Sequence, residues 1–202
     1  MRAPACLVVL LGFLIALPVG LEAQDRRLAE RLDPVTAASV QHLVDSARAS
    51  SLPTEPLVQK ALEGSTMGAG GDRIQAAVQA LLGQLGRARD ALGGHASEGE
   101  LTAAAGALRA GLPAGSLRQL HDIRSGQSLV VPISVLTDLV AEGVPAEQAT
   151  RQVFDLAREG RSDAEFVELR RRVQLQRGGA PGMPQPPDRP AAAPAADPPS
   201  QR

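Results

Sequence analysis

Residues 72–92, DRIQAAVQALLGQLGRARDAL, decide how the rest of the chain is read. Ile74, Val78, Leu81, Leu85, Ala88 and Leu92 recur at spacings of four, three, four, three and four, which puts them on one stripe of an α-helix. Held over nearly three heptads, that spacing makes a coiled-coil-like seam. Its plainer reading is the central helix of a domain, packed by its own neighbours. Asp72 is expected to cap this helix and Gly93-Gly94 to end it. Gly83 and Gly86 each cost roughly 1 kcal/mol against alanine in a helix. Either they admit another backbone or they only weaken the helix.

The same logic extends in both directions. Asp33-Pro34 reads as an N-cap followed by proline in the first turn, leading into Val40, Leu43, Val44 and Ala47 on one face. Pro53 and Pro56 open a short helix that buries Leu57, Val58, Ala61 and Leu62, and Gly64 to Gly71 reads as a loop. Ser97-Glu98-Gly99-Glu100 is a capping box before Leu101, Ala104, Ala105 and Leu108. Pro113 starts an element with Leu117, Leu120 and Ile123, and Pro132 another with Ile133, Leu136, Leu139 and Val140. Pro145 opens a helix with Ala149, Val153, Leu156 and Ala157. A second capping box, Ser162-Asp163-Ala164-Glu165, precedes Phe166, Leu169 and Val173.

Two devices recur along this body. Gly111-Leu112-Pro113 and Gly143-Val144-Pro145 read as one kind of joint: a left-handed glycine ends a helix, an apolar residue folds back, and proline starts the next. Ser51-Leu52-Pro53 is a weaker third copy, and the boxes at Ser97 and Ser162 align with each other. The joints and boxes keep no steady period over three units, so a repeat solenoid is the lesser reading. The expected fold is all-α, a compact bundle or array of seven to eight short helices over residues 33–177.

The two ends differ in kind. Residues 1–23 read as a secretory signal peptide: Arg2 supplies the charge, Cys6 to Leu17 the apolar run, and Ala23 the small residue before cleavage. The alternative is an uncleaved anchor, for which Ala5 to Leu21 is at the lower limit of a bilayer span. Residues 24–32 read as an N-terminal linker. Residues 178–202 hold eight of the sixteen prolines and are expected to be a disordered tail with polyproline character. Localisation is therefore expected to be periplasmic or extracellular, in a bacterial envelope.

Composition narrows the chemistry. There is no Trp, Tyr or Asn, one Lys (Lys60) against twenty Arg, and one Cys, Cys6, which leaves with the signal segment. The bias matches a GC-rich coding sequence. A formal charge of −1 and an aromatic content of 1% disfavour nucleic acid, which needs a basic surplus or stacking platforms. Without cysteine the mature chain has no thiol chemistry, thiolate metal site or disulfide.

No motif specifies a reaction. His42, His95 and His121 form no His-Glu-x-x-His or other two-histidine helical spacing. Gly64-Ser65-Thr66-Met67-Gly68 has Thr where a nucleophile elbow needs Ser, and no strand precedes it. Gly68-Ala69-Gly70-Gly71-Asp72-Arg73 feeds a helix N-terminus but lacks a Gly-Lys-Ser/Thr. Glu98, Glu100, Asp163 and Glu165 lie in first helical turns, where they complement the dipole, and Glu168 follows one turn later. Arg170-Arg171-Arg172 with Arg177 is the basic run, read as a solvated face or a contact for anionic headgroups. No catalytic, cofactor-binding or metal-ligating residue is assigned. The expectation is an exported, non-enzymatic binding or scaffolding module with an apolar groove, taking a protein partner or a second copy of itself. A membrane-surface protein and an envelope hydrolase of unrecognised type are the alternatives.

Overall fold

The computed structural model describes residues 26–178. The expected signal segment, its cleavage site and residues 179–202 of the expected tail lie outside the described residues. Among these the chain is all-helical, with nine helices and no strand.

Residues 26–31 are helical and are the described part of α1. It is followed by α2 (Pro34–Ala49), α3 (Glu55–Thr66), α4 (Gly71–Leu92), α5 (Glu98–Arg109), α6 (Ala114–Ile123), α7 (Val130–Ala141), α8 (Ala146–Arg158) and α9 (Asp163–Gly178). The stretch expected to be a linker is thus partly helical. Leu28 is fully buried, Arg27 holds Glu55 at 2.7 and 3.0 Å, and the Arg31 carbonyl accepts from Ser65 Oγ at 2.7 Å. Gly178, expected to begin the tail, is the last residue of α9.

Two boundaries differ from expectation around the glycine-rich segment. Residues 64–66 belong to α3 and Gly71 to α4, so the expected loop shrinks to residues 67–70. The helices absorb these glycines because neighbours sit where a β-carbon would go: one on Gly64 would lie 2.9 Å from Ile74 Cγ1, and one on Gly71 would fall onto Thr36 Oγ1. Gly70, not Asp72, is the N-cap of α4, and Asp72 lies in the first turn. Helix α7 also begins two residues before Pro132, which occupies the first turn, where its missing N–H costs no hydrogen bond.

The joints are alike in hydrogen bonding. Leu112 N–H donates to Ala107 O at 3.0 Å, Val144 to Leu139 O at 2.9 Å, and Leu52 to Ala47 O at 2.8 Å. Gly111 and Gly143 sit at φ 90° and 85°, and Ser51 takes the same role at φ 50°. Arginines from later helices clamp two of these joints. Arg89 of α4 donates to the carbonyls of Ser50 and Ser51, and Arg177 of α9 to those of Glu142 and Gly143.

The helices from α2 onward pack extensively only on helices one or two places away in the chain. Helix α4 carries α2, α3, α5 and α6, while α7 carries α5, α8 and α9. One apolar cluster runs through all of them, from Leu28 to Val173, built mainly of Leu, Val and Ala. The α4 stripe is an internal seam: Ile74, Val78, Leu85, Ala88 and Leu92 are buried and Leu81 is half-buried.

Candidate functional site

Helices α3 and α5 both lie on α4 but do not pack substantially on each other. Their separation follows from local sequence. The Ser51-Leu52-Pro53 joint turns the chain into α3, whose inner residues Leu57, Val58 and Ala61 are fully buried. The Ser97–Glu100 capping box starts α5, whose Leu101, Ala104 and Ala105 are buried. The faces left over border an open groove.

One end of the groove, of about 610 Å³, is lined by Pro53, Pro56 and Gln59 on the α3 side, Gly99, Thr102 and Ala103 of α5, and Val130 and Ser134 of α7. It continues past Pro56, Gln59 and Thr102 into a second part of about 430 Å³, with Lys60, Glu63, Leu81, Gly106 and Arg109. Each wall presents the spacing of a helical face: Pro56, Gln59, Lys60 and Glu63 on α3, and Gly99, Thr102, Ala103 and Gly106 on α5. Both walls run in the same direction, N-terminal ends together. Between Glu98 and Arg109 the α5 wall is made of small residues, and nothing lies within 4 Å of where a β-carbon on Gly106 would project.

Charge is distributed unevenly along the groove. Glu55 and Glu98 flank the wide end, and Lys60, Glu63 and Arg109 the narrow one. Lys60 Nζ donates to Glu63 at 2.8 Å, and this bond, with the nearby charge of Arg109, holds the Glu63 carboxyl below its usual range. The Glu98 carboxylate has no hydrogen-bond or ion-pair partner among the described residues.

The other carboxylates singled out by sequence have structural duties. Glu100 completes the capping box, Oε2 accepting from Ser97 N–H at 2.9 Å, while its Oε1 accepts from Leu129 N–H at 2.9 Å. It therefore holds the starts of both α5 and α7. Partial burial pushes its carboxyl up, but the Ser97 and Leu129 N–H groups, the Ser97 hydroxyl and the charge of His121 outweigh this and bring it below the usual value. Glu165 repeats the device on Ser162 N–H at 2.8 Å, and Glu168 pairs with Arg171. Asp163 accepts from Arg124 at 3.2 Å.

Arg124 carries no motif in sequence, yet it is only 5% exposed. It donates to Arg161 O at 2.8 Å, and its guanidinium lies 5.0 Å from the Phe166 ring centroid, so it ties the end of α6 to the α8–α9 joint. The basic run is likewise engaged internally. Arg170 pairs with Asp138 at 2.9 Å, Arg171 with Glu168 at 3.0 Å, and Arg177 clamps the end of α7.

The histidines are distributed over separate elements: His42 exposed on α2, His95 exposed between α4 and α5, and His121 half-buried on α6. Asp45 accepts from Gln41 and Arg48, and His121 Nδ1 is 3.7 Å from its neighbour Asp122. Among the described residues no group of three or more His, Asp or Glu converges in a way that could hold a metal ion. Ser65 and Thr66, at the supposed elbow, spend their hydroxyls on Arg31 O and Leu62 O. No described helix is long and apolar enough to cross a membrane.

Sequence reasoning expected an apolar groove without locating it. The wall residues carry the helical spacing, but they mix Pro, Gln, Lys, Glu, Gly and Thr, so apolar periodicity does not mark them. Comparison of the chain with family models, curated proteins and solved structures found no match.

Proposed function

We propose that the chain is an exported, non-enzymatic protein of the bacterial cell envelope that acts by binding or scaffolding, with the α3–α5 groove as its docking surface. The observation that carries this reading is the groove itself. It has two walls at helical spacing, a floor at Leu81, and one wall of small residues that lets a partner's backbone come close. Gly106 supports it further, because a glycine within a helix costs about 1 kcal/mol against alanine and no internal neighbour needs the space. Export rests on the charged start, apolar run and Ala23 of residues 1–23. By its composition the proline-rich segment serves as a spacer, and the helical body is an array whose contacts run between near neighbours.

The membrane-surface alternative depended on Arg170 to Arg172, and the internal bonds of Arg170 and Arg171 leave less of that charge for headgroups. The hydrolase alternative needs His42 or His121 beside a carboxylate and a hydroxyl, and neither bonds a hydroxyl among the described residues.

A photo-crosslinking residue at Thr102, compared with one at exposed Ala76 on α4, tests the reading in envelope preparations. Adducts are expected at position 102, and Gly106→Leu, which fills the groove, is expected to remove most of them. Equal adducts at both positions, or none at 102, would reject the groove as the docking surface.

A further inference from the structure

The groove is one half of a possible contact, and α9 carries a face suited to the other half. Among the described residues four large apolar side chains are markedly exposed, and two of them, Val167 at 41% and Leu175 at 63%, lie on α9. At 100° per residue, Ala164, Val167, Arg171 and Leu175 share one side, opposite Phe166 and Val173, which are buried. Helix α9 packs on α7 and α8, and no other described helix packs substantially on it, which leaves that outer side uncovered among the described residues.

Length and charge match the groove. Val167 to Leu175 spans about 12 Å of helix, and Gly99 to Gly106 on the α5 wall about 10 Å. On α9, Asp163 is held by Arg124, Glu165 by Arg161 and Glu168 by Arg171, and Arg177 is turned onto the end of α7, so Arg172 is the cation its second half offers beside the Glu168–Arg171 pair. At the wide end of the groove Glu98 is the acid left beside the Arg27–Glu55 pair, and at the other end Arg109 is the cation left beside the Lys60–Glu63 pair. Laid antiparallel to α5, the outer face of α9 sets Arg172 toward Glu98 and Glu168 toward Arg109. Leu175 then enters the wide end beside Gly99 and Val130, and Val167 lies over Gly106. The reverse direction would oppose acid to acid at Glu98.

We infer that the partner of the groove is a second copy of this chain, whose α9 docks in it antiparallel to α5. This inference rests on the groove being a docking surface. The two faces differ, so the contact is head-to-tail, and each bound copy leaves one groove and one α9 open, giving an open series rather than a closed dimer. One helix in a groove buries less than the roughly 1,200 Å² of a standard stable interface, so the association is weak, in about the micromolar-to-millimolar range.

Sedimentation of the full chain, expressed with its N-terminal segment so that any processing occurs, tests this over a wide concentration range. The mass is expected to rise without a plateau at dimer. Leu175→Glu, on an exposed position, and Gly106→Leu, where the β-carbon meets open space, are each expected to weaken association at least tenfold while retaining the helical circular dichroism. A mixture of the two variants is the decisive arm: one keeps its groove and the other its α9, so together they form a one-to-one dimer and no more. Ala103→Arg replaces Gly106→Leu if that variant fails to fold. A chain monomeric at millimolar concentration, a plateau at dimer, or a mixture that stays monomeric overturns the inference. So does a monomer whose groove becomes reactive at position 102 only after residues 179–202 are deleted, which would make the chain's own tail the occupant. Adducts at position 102 to a different protein, with a monomeric pure chain, overturn self-docking and leave the groove reading standing; loss of the adducts themselves removes both.

Discussion

At the scale of single residues, the backbone decides which substitutions the fold accepts. Ser51 holds a left-handed conformation at φ 50°, which costs an L-residue about 1–2 kcal/mol relative to its usual regions. Gly83 and Gly86 are the converse, glycines in the interior of α4 with nothing within 4 Å of a β-carbon. Helical glycines therefore have different causes here: Gly64 and Gly71 make room for Ile74 and Thr36, and the α4 pair makes room for nothing inside the described fold. Ser51→Gly is accordingly expected to raise stability by several tenths to about 1 kcal/mol, and Gly83→Ala by about 1 kcal/mol. Gly71→Ala should lower it, because Thr36 and the start of α2 must shift. Thermal unfolding of the three variants checks the signs, and a stabilised Gly71→Ala would show that Thr36 moves aside freely.

At the scale of elements, helix ends hold the fold together as much as helix faces do. Glu100 serves two N-termini with one carboxylate, and a glutamine there keeps the shape but loses the charge and one of its two acceptor oxygens. Glu100→Gln is expected to cost about 1–2 kcal/mol at neutral pH, the range of a lost cap plus a charge-assisted hydrogen bond. The folded carboxyl titrates below its unfolded value, so its stabilisation is fully present above the ordinary glutamate range near about 4.3 and is lost as pH falls through the lower, folded value. The gap between wild type and variant should therefore narrow on acidification, and denaturant titrations at several pH values measure it; a gap that widened in acid would refute the assignment. Eight of the helices were legible from caps, glycine stops and apolar spacing, because each of those signals acts within one or two turns. Helix α1 was not, since its six described residues are too few to show a period and Leu28 is the one fully buried side chain among them. The groove escaped for a related reason: it consists of what the helices leave uncovered, and its position depends on where α4 sets α3 and α5. The arginine clamps at the joints bridge more than thirty residues, a distance over which sequence spacing carries no signal.

At the scale of the whole molecule, packing follows chain order, and this bears on how stability is shared. Each helix from α2 onward makes its substantial contacts with neighbours one or two places away, so the α2–α4 end and the α7–α9 end are linked through α5 and α6 and not directly. In such an arrangement stability is close to a sum of local terms and nearest-neighbour interfaces, whereas a closed globule loses all its contacts together. Phe166 lies at the α9 end, fully buried beneath the Arg124 guanidinium. Phe166→Ala removes a buried ring and unseats Arg124 from it, for a local cost of about 3–5 kcal/mol. Native-state hydrogen exchange should then show faster amides in α7, α8 and α9 and nearly unchanged protection in α2, α3 and α4. Leu57→Ala, at the other end, should give the mirror result, with α2–α4 opening and α8–α9 held. Uniform acceleration along the chain by either substitution would mean that the helices unfold as one unit and that α5 and α6 couple the ends rigidly. The end-specific pattern would instead keep the α3 wall folded on α4 while loosening Val130 and Ser134, the α7 residues at the wide end of the groove. Groove binding should then be weakened in Phe166→Ala but not abolished in that copy, whereas the α9 face should be lost.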